Sequence, residues 1–572
     1  MRQTSTLSGQ GTSNSITNIN LDTINGFYHW GVFTSDDKVN EFIGRAYERT
    51  PSLQTINTRT NRGSITAALG QPRITVPGDA HLNLSKVLYQ ITFNSGTLES
   101  ANKGSTNLEG WKIALQCDLD TIQVSLKDGN ADSAPARDFI KNEFRVGDDR
   151  ERADRLFVKL AEANWNRLDN SSMIIDPDTG KPISFNDWED RIDHGADDDD
   201  VEDDRPTLFK TLVRIWARAI QREFATTLAI STPRSRSDGD TNLDYLTQIY
   251  AYESSDSGAT GTAKADSNDS NCIVYLSMGQ NDPFPQAKRL LYQGRVLSAT
   301  KMTLVAGHQL YLDRFLLPLL VKFNAATSLS LAAENGWDFT YEVGLGASSP
   351  RSDDDSFHFA RSDDGSTYTY QHEAKMPENP IQSSDKKSWF QPEHWSRSPP
   401  FLRLPIFGCI RHYETLINYM KMAGKTTNTF LFDAGSHTAA LKGSVEYCRG
   451  IKISDSQDMS ASTNLYRSLD VSSWEVKLST TLKDGVLSFS FNDSPSLFEN
   501  IALLKSELHK KVATSVRSSI DAAPKDTGIS ILSSDLPSFW GASPLSAAIP
   551  ILLSNTGGVI LALAEGPVPK KG

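Results

Sequence analysis

The sequence predicts an α+β fold in which a long, coiled antiparallel sheet wraps around long amphipathic helices, giving an elongated body. Three observations predict it. Residues 108–126, LEGWKIALQCDLDTIQVSL, alternate apolar and polar along a stretch far longer than an ordinary strand of about 5–6 residues. Two segments, 208–230 and 307–326, place apolar residues on one helical face. From residue 401 onward the chain reads mostly as strand, with a clear hairpin at 474–491.

Taken in order, residues 1–20 are polar and read as a flexible arm. Val39, Phe42, Ile43 and Ala46 follow helical spacing, with Asp36 or Asp37 as cap and Pro51 as terminator. Leu82, Leu84, Tyr89, Ile91 and Phe93 alternate as strand, and Ser95-Gly96 reads as a turn. In the next stretch Trp111, Ile113, Leu115, Cys117 and Leu119 share one face. The alternation resumes one step later at Ile122, Val124 and Leu126, which predicts a β-bulge at Asp120-Thr121 that coils the strand. Extended, the run measures roughly 50–60 Å.

Residues 138–168 read as helix, and 194–204, HGADDDDVEDD, as a solvated acidic run. After Pro206, the residues Leu208, Leu212, Ile215, Trp216, Ala219 and Phe224 predict a helix of roughly 24 residues, about 36 Å long. A strand is expected at Leu246–Tyr252. The segment 307–326 places Leu312, Phe315, Leu316, Leu319 and Phe323 on one face, with Pro318 ending or kinking the helix. Trp337, Phe339, Tyr341 and Val343 alternate again. Trp474, Val476, Leu478, Thr480 and Leu482 form one strand face; Asp484-Gly485 turns the chain, and Leu487, Phe489 and Phe491 return. A last helix is expected over Phe498–Ser519. The domain reading is an arm at 1–20, a body at 21–520 with polar insertions near 130–205 and 345–398, and a C-terminal extension at 521–572.

The 572-residue chain has 38% hydrophobic residues and a net charge of −12. That acidity argues against binding a nucleic-acid backbone, which relies on Lys and Arg. The N-terminal MRQTSTLSGQGTSNSITN lacks the apolar core of a secretory signal. The expected location is therefore cytoplasmic, with any release independent of a signal peptide. Leu545–Ala564 is interrupted by Pro550 and by Asn555-Thr556-Gly557-Gly558, so it does not read as a spanning helix.

Candidate chemistry is sparse. Cys117, Cys272, Cys409 and Cys448 have neither CxxC nor His spacing and read as small buried apolar groups. Asp176-Pro177-Asp178-Thr179-Gly180 resembles the opening of a calcium loop. Lys181 stands where an EF-hand needs Gly, and Asp187 where it needs Glu, so the segment reads as a turn. The histidines are scattered without a helical zinc motif, no G-x-S-x-G elbow or P-loop occurs, and the glycines of 344–349 lack dinucleotide-loop spacing. No catalytic residue, metal or cofactor is expected.

Four segments, in order, resemble the tubular lipid-binding (TULIP) proteins that occur as accessory proteins in clostridial neurotoxin gene clusters. They are WGVF with VNEFI (30–43), LEGWKIALQCDLD (108–120), CIVYLSMGQNDPFP (272–285) and TLVAGHQLYLDRFLLPLL (303–320). Gly31 and Gly307 depart from the family's usual Asp and Ser. The resemblance implies a TULIP-like, non-catalytic lipid- or hydrophobic-ligand-binding protein with an apolar groove between helix and coiled sheet. It also implies an accessory place in a toxin or larger complex and allows peripheral membrane contact. The groove residues expected are Leu212, Ile215, Trp216, Phe224, Leu312, Phe315, Leu316, Leu319 and Phe323. The alternative is a structural or assembly protein of the same fold, with a filled core and loops that bind protein partners. An unrecognised hydrolase is a third reading.

Overall fold

A computed structural model describes residues 28–76, 85–127, 134–144, 146, 150–195, 203–232, 245–252, 271–279, 296, 301–332, 342–345, 357–375, 415–455, 462–483, 486–492, 507–522, 528–530 and 536–566. The chain divides into two compact units. The first holds residues 1–311, 482–487 and 529–572; the second holds 312–481 and 488–528.

The expected helix-threaded α+β tube is not what forms. Among the described residues sheet dominates: antiparallel sheets of eleven, six and seven strands, with one two-stranded ribbon. Among the described residues no long amphipathic helix is wrapped by a sheet. The reason is visible in the helix Arg205–Arg222. Its buried stripe is Leu208, Phe209, Leu212, Val213, Trp216, Ala217 and Ile220, while Thr207, Thr211, Arg214, Ile215 and Arg218 are exposed. A helix enclosed by a sheet has to be apolar all round; this one is apolar on one side and packs on one sheet face.

In the first unit the eleven-stranded sheet follows the path Thr55–Arg59, Gly63–Leu69, Lys86–Ser100, Lys112–Ser125, Arg152–Val158, Thr227–Ser231, Ser538–Phe539. The helix Arg205–Arg222 lies against its first three strands. Between helix and sheet sits an aromatic core. The Phe209 ring is 5.2 Å from Trp111, 5.5 Å from Phe185 and 5.6 Å from Phe93. The six-stranded sheet has the order Tyr245–Tyr252, Cys272–Gly279, Trp30–Ser35, Met302–Ala306, Val559–Glu565, Leu545–Leu553. Cys117 and Cys272 are buried free thiols. The side chains of Cys409 and Cys448 lie outside the described residues.

The long strand keeps its phase shift, but not through a bulge. Lys112–Asp118 pairs with Lys86–Thr92, and Leu119–Ser125 then pairs with Arg152–Val158 without a slip in register. Ile113, Leu115, Cys117 and Leu119 are buried on one face; Ile122 is exposed; Val124 is buried on the other. That second face is covered by the helix Ala134–Phe144, where Ile140, Ala153 and Ile230 join Val124 and Leu126 in a separate cluster. The strand therefore serves two cores on opposite faces.

Other elements differ in detail. The first helix is Asp36–Arg49, and its cap is Ser35, whose hydroxyl accepts from the Lys38 amide. Pro51 opens a further turn, Pro51–Gln54. Ser95-Gly96 is no turn: Lys86–Ser100 runs through it. The register against Gly63–Leu69 slips between Ala68 and Leu69, which face Ser95 and Phe93, and the neighbouring Gly96, opposite Ala67, takes φ +147. A Cβ at Gly96 would come 2.4 Å from the Ala67 Cβ. The helix expected over 138–168 is confined to Ala134–Phe144; the apolar run that follows is the strand Arg152–Val158. Leu82, Leu84, Trp337, Phe339, Tyr341, the Asp484-Gly485 turn and the 1–20 arm lie outside the described residues.

In the second unit the longest strands exceed any described strand of the first. Thr415–Phe432 and Thr438–Asp455 have 18 residues each, and Ser462–Lys483 has 22. They pair in sequence after Thr367–Lys375. Trp474, Val476, Leu478 and Thr480 are buried in alternation, as their spacing predicts. Pro318 does not break a helix. It sits in the first turn of Leu317–Thr327, after the wider π-type segment Gln309–Leu316. The last described helix is Glu507–Ala522, which runs past the expected end at Ser519 and packs against Leu317–Thr327; residues 498–506 of the expected span lie outside the described residues.

Candidate functional site

Within the second unit two helices and a strand leave a cavity of about 240 Å³. Its lining follows from simple periodicities. Leu319, Lys322, Phe323 and Ala326 recur at helical spacing along one stripe of Leu317–Thr327, with Leu320 beside them. Ser515, Ser518 and Ser519 make the matching stripe on Glu507–Ala522, and Phe489 and Phe491 project from one face of the strand Val486–Asn492.

The apolar wall is aromatic. The Phe323 ring stacks on Phe491 at 6.2 Å, and Phe489 meets Phe491 edge-on at 5.8 Å. The Phe315 ring stands edge-on to Phe489 at 5.9 Å. The serines hold the helices in place. Ser515 Oγ donates to the Ala326 carbonyl across the helix pair, and Ser519 Oγ donates to the Ser515 carbonyl at 2.8 Å. Lys322 and Ser518 are exposed. Among the described residues, neither side chain has a hydrogen bond or ion pair within the protein.

The helix that carries this stripe is anchored at its C-terminal end by buried polar groups. Asn428 Nδ2 donates to Asn324 Oδ1 at 2.8 Å and to Thr327 Oγ1 at 2.9 Å. Asn324 Nδ2 donates to the Phe357 carbonyl at 2.8 Å, and the Ser328 hydroxyl meets the Tyr370 hydroxyl at 2.6 Å. Thr426 Oγ1 accepts from the Leu329 amide at 2.9 Å. Among the described residues Asn428 Oδ1 itself is buried without a partner, but the bonds its Nδ2 makes, with those of Asn324, Thr426 and Ser328, fix one register where apolar contacts alone permit sliding. They therefore hold the cavity wall in position.

The groove residues expected from sequence do not assemble into one groove. Leu319 and Phe323 line the cavity, and Phe315 does not line it but touches the lining residue Phe489. Leu312 and Leu316, on the same helical run, are fully buried. Leu212 and Trp216 belong to the core of the first unit, where Trp216 Nε1 donates to the Ser52 carbonyl at 2.9 Å. Ile215 is 39% exposed on the outer side of its helix. Phe224 is not on the helix at all. Its φ of 62 reverses the chain after Arg222, and its ring packs 5.2 Å from Phe139 and 4.8 Å from the Arg155 guanidinium. Phe489, Phe491 and the serine stripe are cavity residues that sequence reasoning did not assign. Phe489 and Phe491 carried a signal, the strand alternation, but nothing local shows which helix covers that face.

No metal-like constellation of three or more His, Cys, Asp or Glu occurs among the described residues. The Asp176 carboxylate accepts from Arg191 at 2.7 and 2.8 Å, from Thr179 Oγ1 and from the Asp178 amide, and Gly180 closes the turn at φ +68. These donors, Arg191 foremost, hold the Asp176 carboxyl well below the usual carboxylate range. No helix among the described residues is long and apolar enough to cross a membrane, which says nothing of strands.

No protein-family model matches the chain, and no curated protein matches it. Among solved structures, P47 of Clostridium botulinum E1 is similar at 11% identity and TM-score 0.41, over 93% of this chain and 98% of that one. P47 from Clostridium botulinum A2 is similar at 11% identity and TM-score 0.42, over 94% and 97%. A lipopolysaccharide binding protein is similar at 10% identity and TM-score 0.27, over 95% and 100%.

Proposed function

We propose that the protein is a non-catalytic binder of a lipid or other hydrophobic ligand, and that the second unit's cavity is where the ligand's apolar part sits. The observation that carries this reading is a wall of Leu319, Leu320, Phe323, Phe489 and Phe491 around space the protein's own side chains leave unfilled. Each methylene moved from water onto such a wall contributes about 0.8 kcal/mol. The anchored helix keeps the space from collapsing. The resemblance of the four sequence segments extends the proposal to an accessory place in a toxin or larger complex.

A second reading, an assembly protein with a filled core, is supported by the first unit. There Leu212 and Trp216 pack fully against the sheet. Uptake of a fluorescent fatty acid separates the two. Ligand binding predicts saturable uptake that falls at least tenfold in Leu319→Trp, whose indole fills the cavity, and lipid in an organic extract of the purified protein. Absence of uptake and a lipid-free extract would leave the assembly reading.

A further inference from the structure

Resting on the ligand-binding reading, we infer that the occupant is a single-chain amphiphile with an anionic head group, its tail against the phenylalanines and its head at Lys322 and Ser518. Two observations carry it. The first is volume. About 240 Å³ holds roughly eight methylene-sized groups if each takes about 30 Å³, the share of a water molecule. That is one medium chain, or the inner part of a longer one, and not two chains side by side.

The second is the polarity of the lining. Among the described residues, Lys322 is the one ionisable side chain on the cavity wall, and no carboxylate shares the wall with it. It continues the stripe of Leu319, Phe323 and Ala326, so its stem follows the apolar wall while the ammonium reaches the solvent side. Ser515 and Ser519 already donate to backbone carbonyls, whereas Ser518 keeps its hydroxyl proton for a ligand. One cation and one neutral donor beside an apolar slot match a carboxylate or phosphate head on a single tail.

Calorimetric titration of the full chain with decanoate, decan-1-ol and 2-octyldecanoate tests this. Decanoate is expected to bind about fivefold more tightly than decan-1-ol at low salt, within the range of a partly exposed ion pair. Lys322→Met should abolish that preference while leaving decan-1-ol affinity within twofold, which also shows that the variant is folded. The branched acid, with the same head on two tails, should bind at least tenfold more weakly than decanoate. Equal affinity for acid and alcohol, or a preference that survives Lys322→Met, overturns the head-group assignment. Tighter binding of 2-octyldecanoate overturns the single chain. Binding of none of the three overturns both this inference and the ligand-binding reading beneath it.

Discussion

Asn428 shows how much a single buried amide can hold. Its Nδ2 serves both Asn324 and Thr327 at the end of the helix that walls the cavity. Asn428→Leu removes both bonds and leaves buried acceptors unpaired, at a cost of about 1–3 kcal/mol. Chemical denaturation should show a lower midpoint for this variant, with fatty-acid uptake weakened in parallel. Asp36 acts through its charge. Burial pushes its carboxyl up from 3.8 to about 6; the Val76 amide, which donates at 3.1 Å, offsets part of this, and the nearby Asp37 charge adds to it. The folded state thus holds a proton more tightly than the unfolded chain. The stability this confers is complete below pH 3.8 and is lost as pH rises through about 6. Asp36→Asn keeps an acceptor for the Val76 amide and cannot ionise. Between pH 4.5 and 7 the variant should gain about 2 kcal/mol relative to wild type, read as a change in the gap between the two melting-temperature curves.

At the scale of elements, the sequence was most legible where one periodicity ran uninterrupted. The helix at 36–49 and the alternation from Trp474 to Thr480 appear where their apolar spacing puts them. Its failures have local causes. The Arg205–Arg222 helix stops short because Phe224 takes a left-handed conformation and the β-branched Thr226-Thr227 pair leads into a buried strand. The segment 138–168 mixes charge with apolar residues, and that composition suits a strand buried on both faces as well as a helix. The phase shift in Lys112–Ser125 was readable, but its meaning lies in which neighbours cover each face, and those come from residues 134–158 and 227–231. The cavity was half legible for the same reason: Leu319 and Phe323 declare a face, while their partners on Glu507–Ala522 are almost two hundred residues away. Two substitutions test element-level assignments. Ser35→Ala should cost about 1 kcal/mol by removing the helix cap. Gly96→Val should destabilise more strongly in thermal unfolding, because its φ and the Ala67 contact both exclude a branched side chain.

At the scale of the whole molecule, distant parts of the chain close the first unit. Glu565 pairs with Lys38 at 2.7 Å and with Arg45 at 2.8 Å, joining the last strand of the six-stranded sheet to the first helix. Despite partial burial, these cations hold its carboxyl down at about 2. The stabilisation is therefore present above the usual carboxylate range and is lost as pH falls toward 2. With the groups about one-fifth exposed, Glu565→Gln should cost about 1 kcal/mol at pH 7 and nothing near pH 2, measured by thermal melts across that range. The same sheet places Met302–Ala306 directly beside Val559–Glu565. On a ribosome making about 5–20 residues per second, that neighbour emerges some ten to fifty seconds after its partner. Until then a hydrophobic edge stands open, while every residue of the second unit has already been made. During synthesis, one edge of that sheet is thus an unfinished seam in the part of the chain that was begun first.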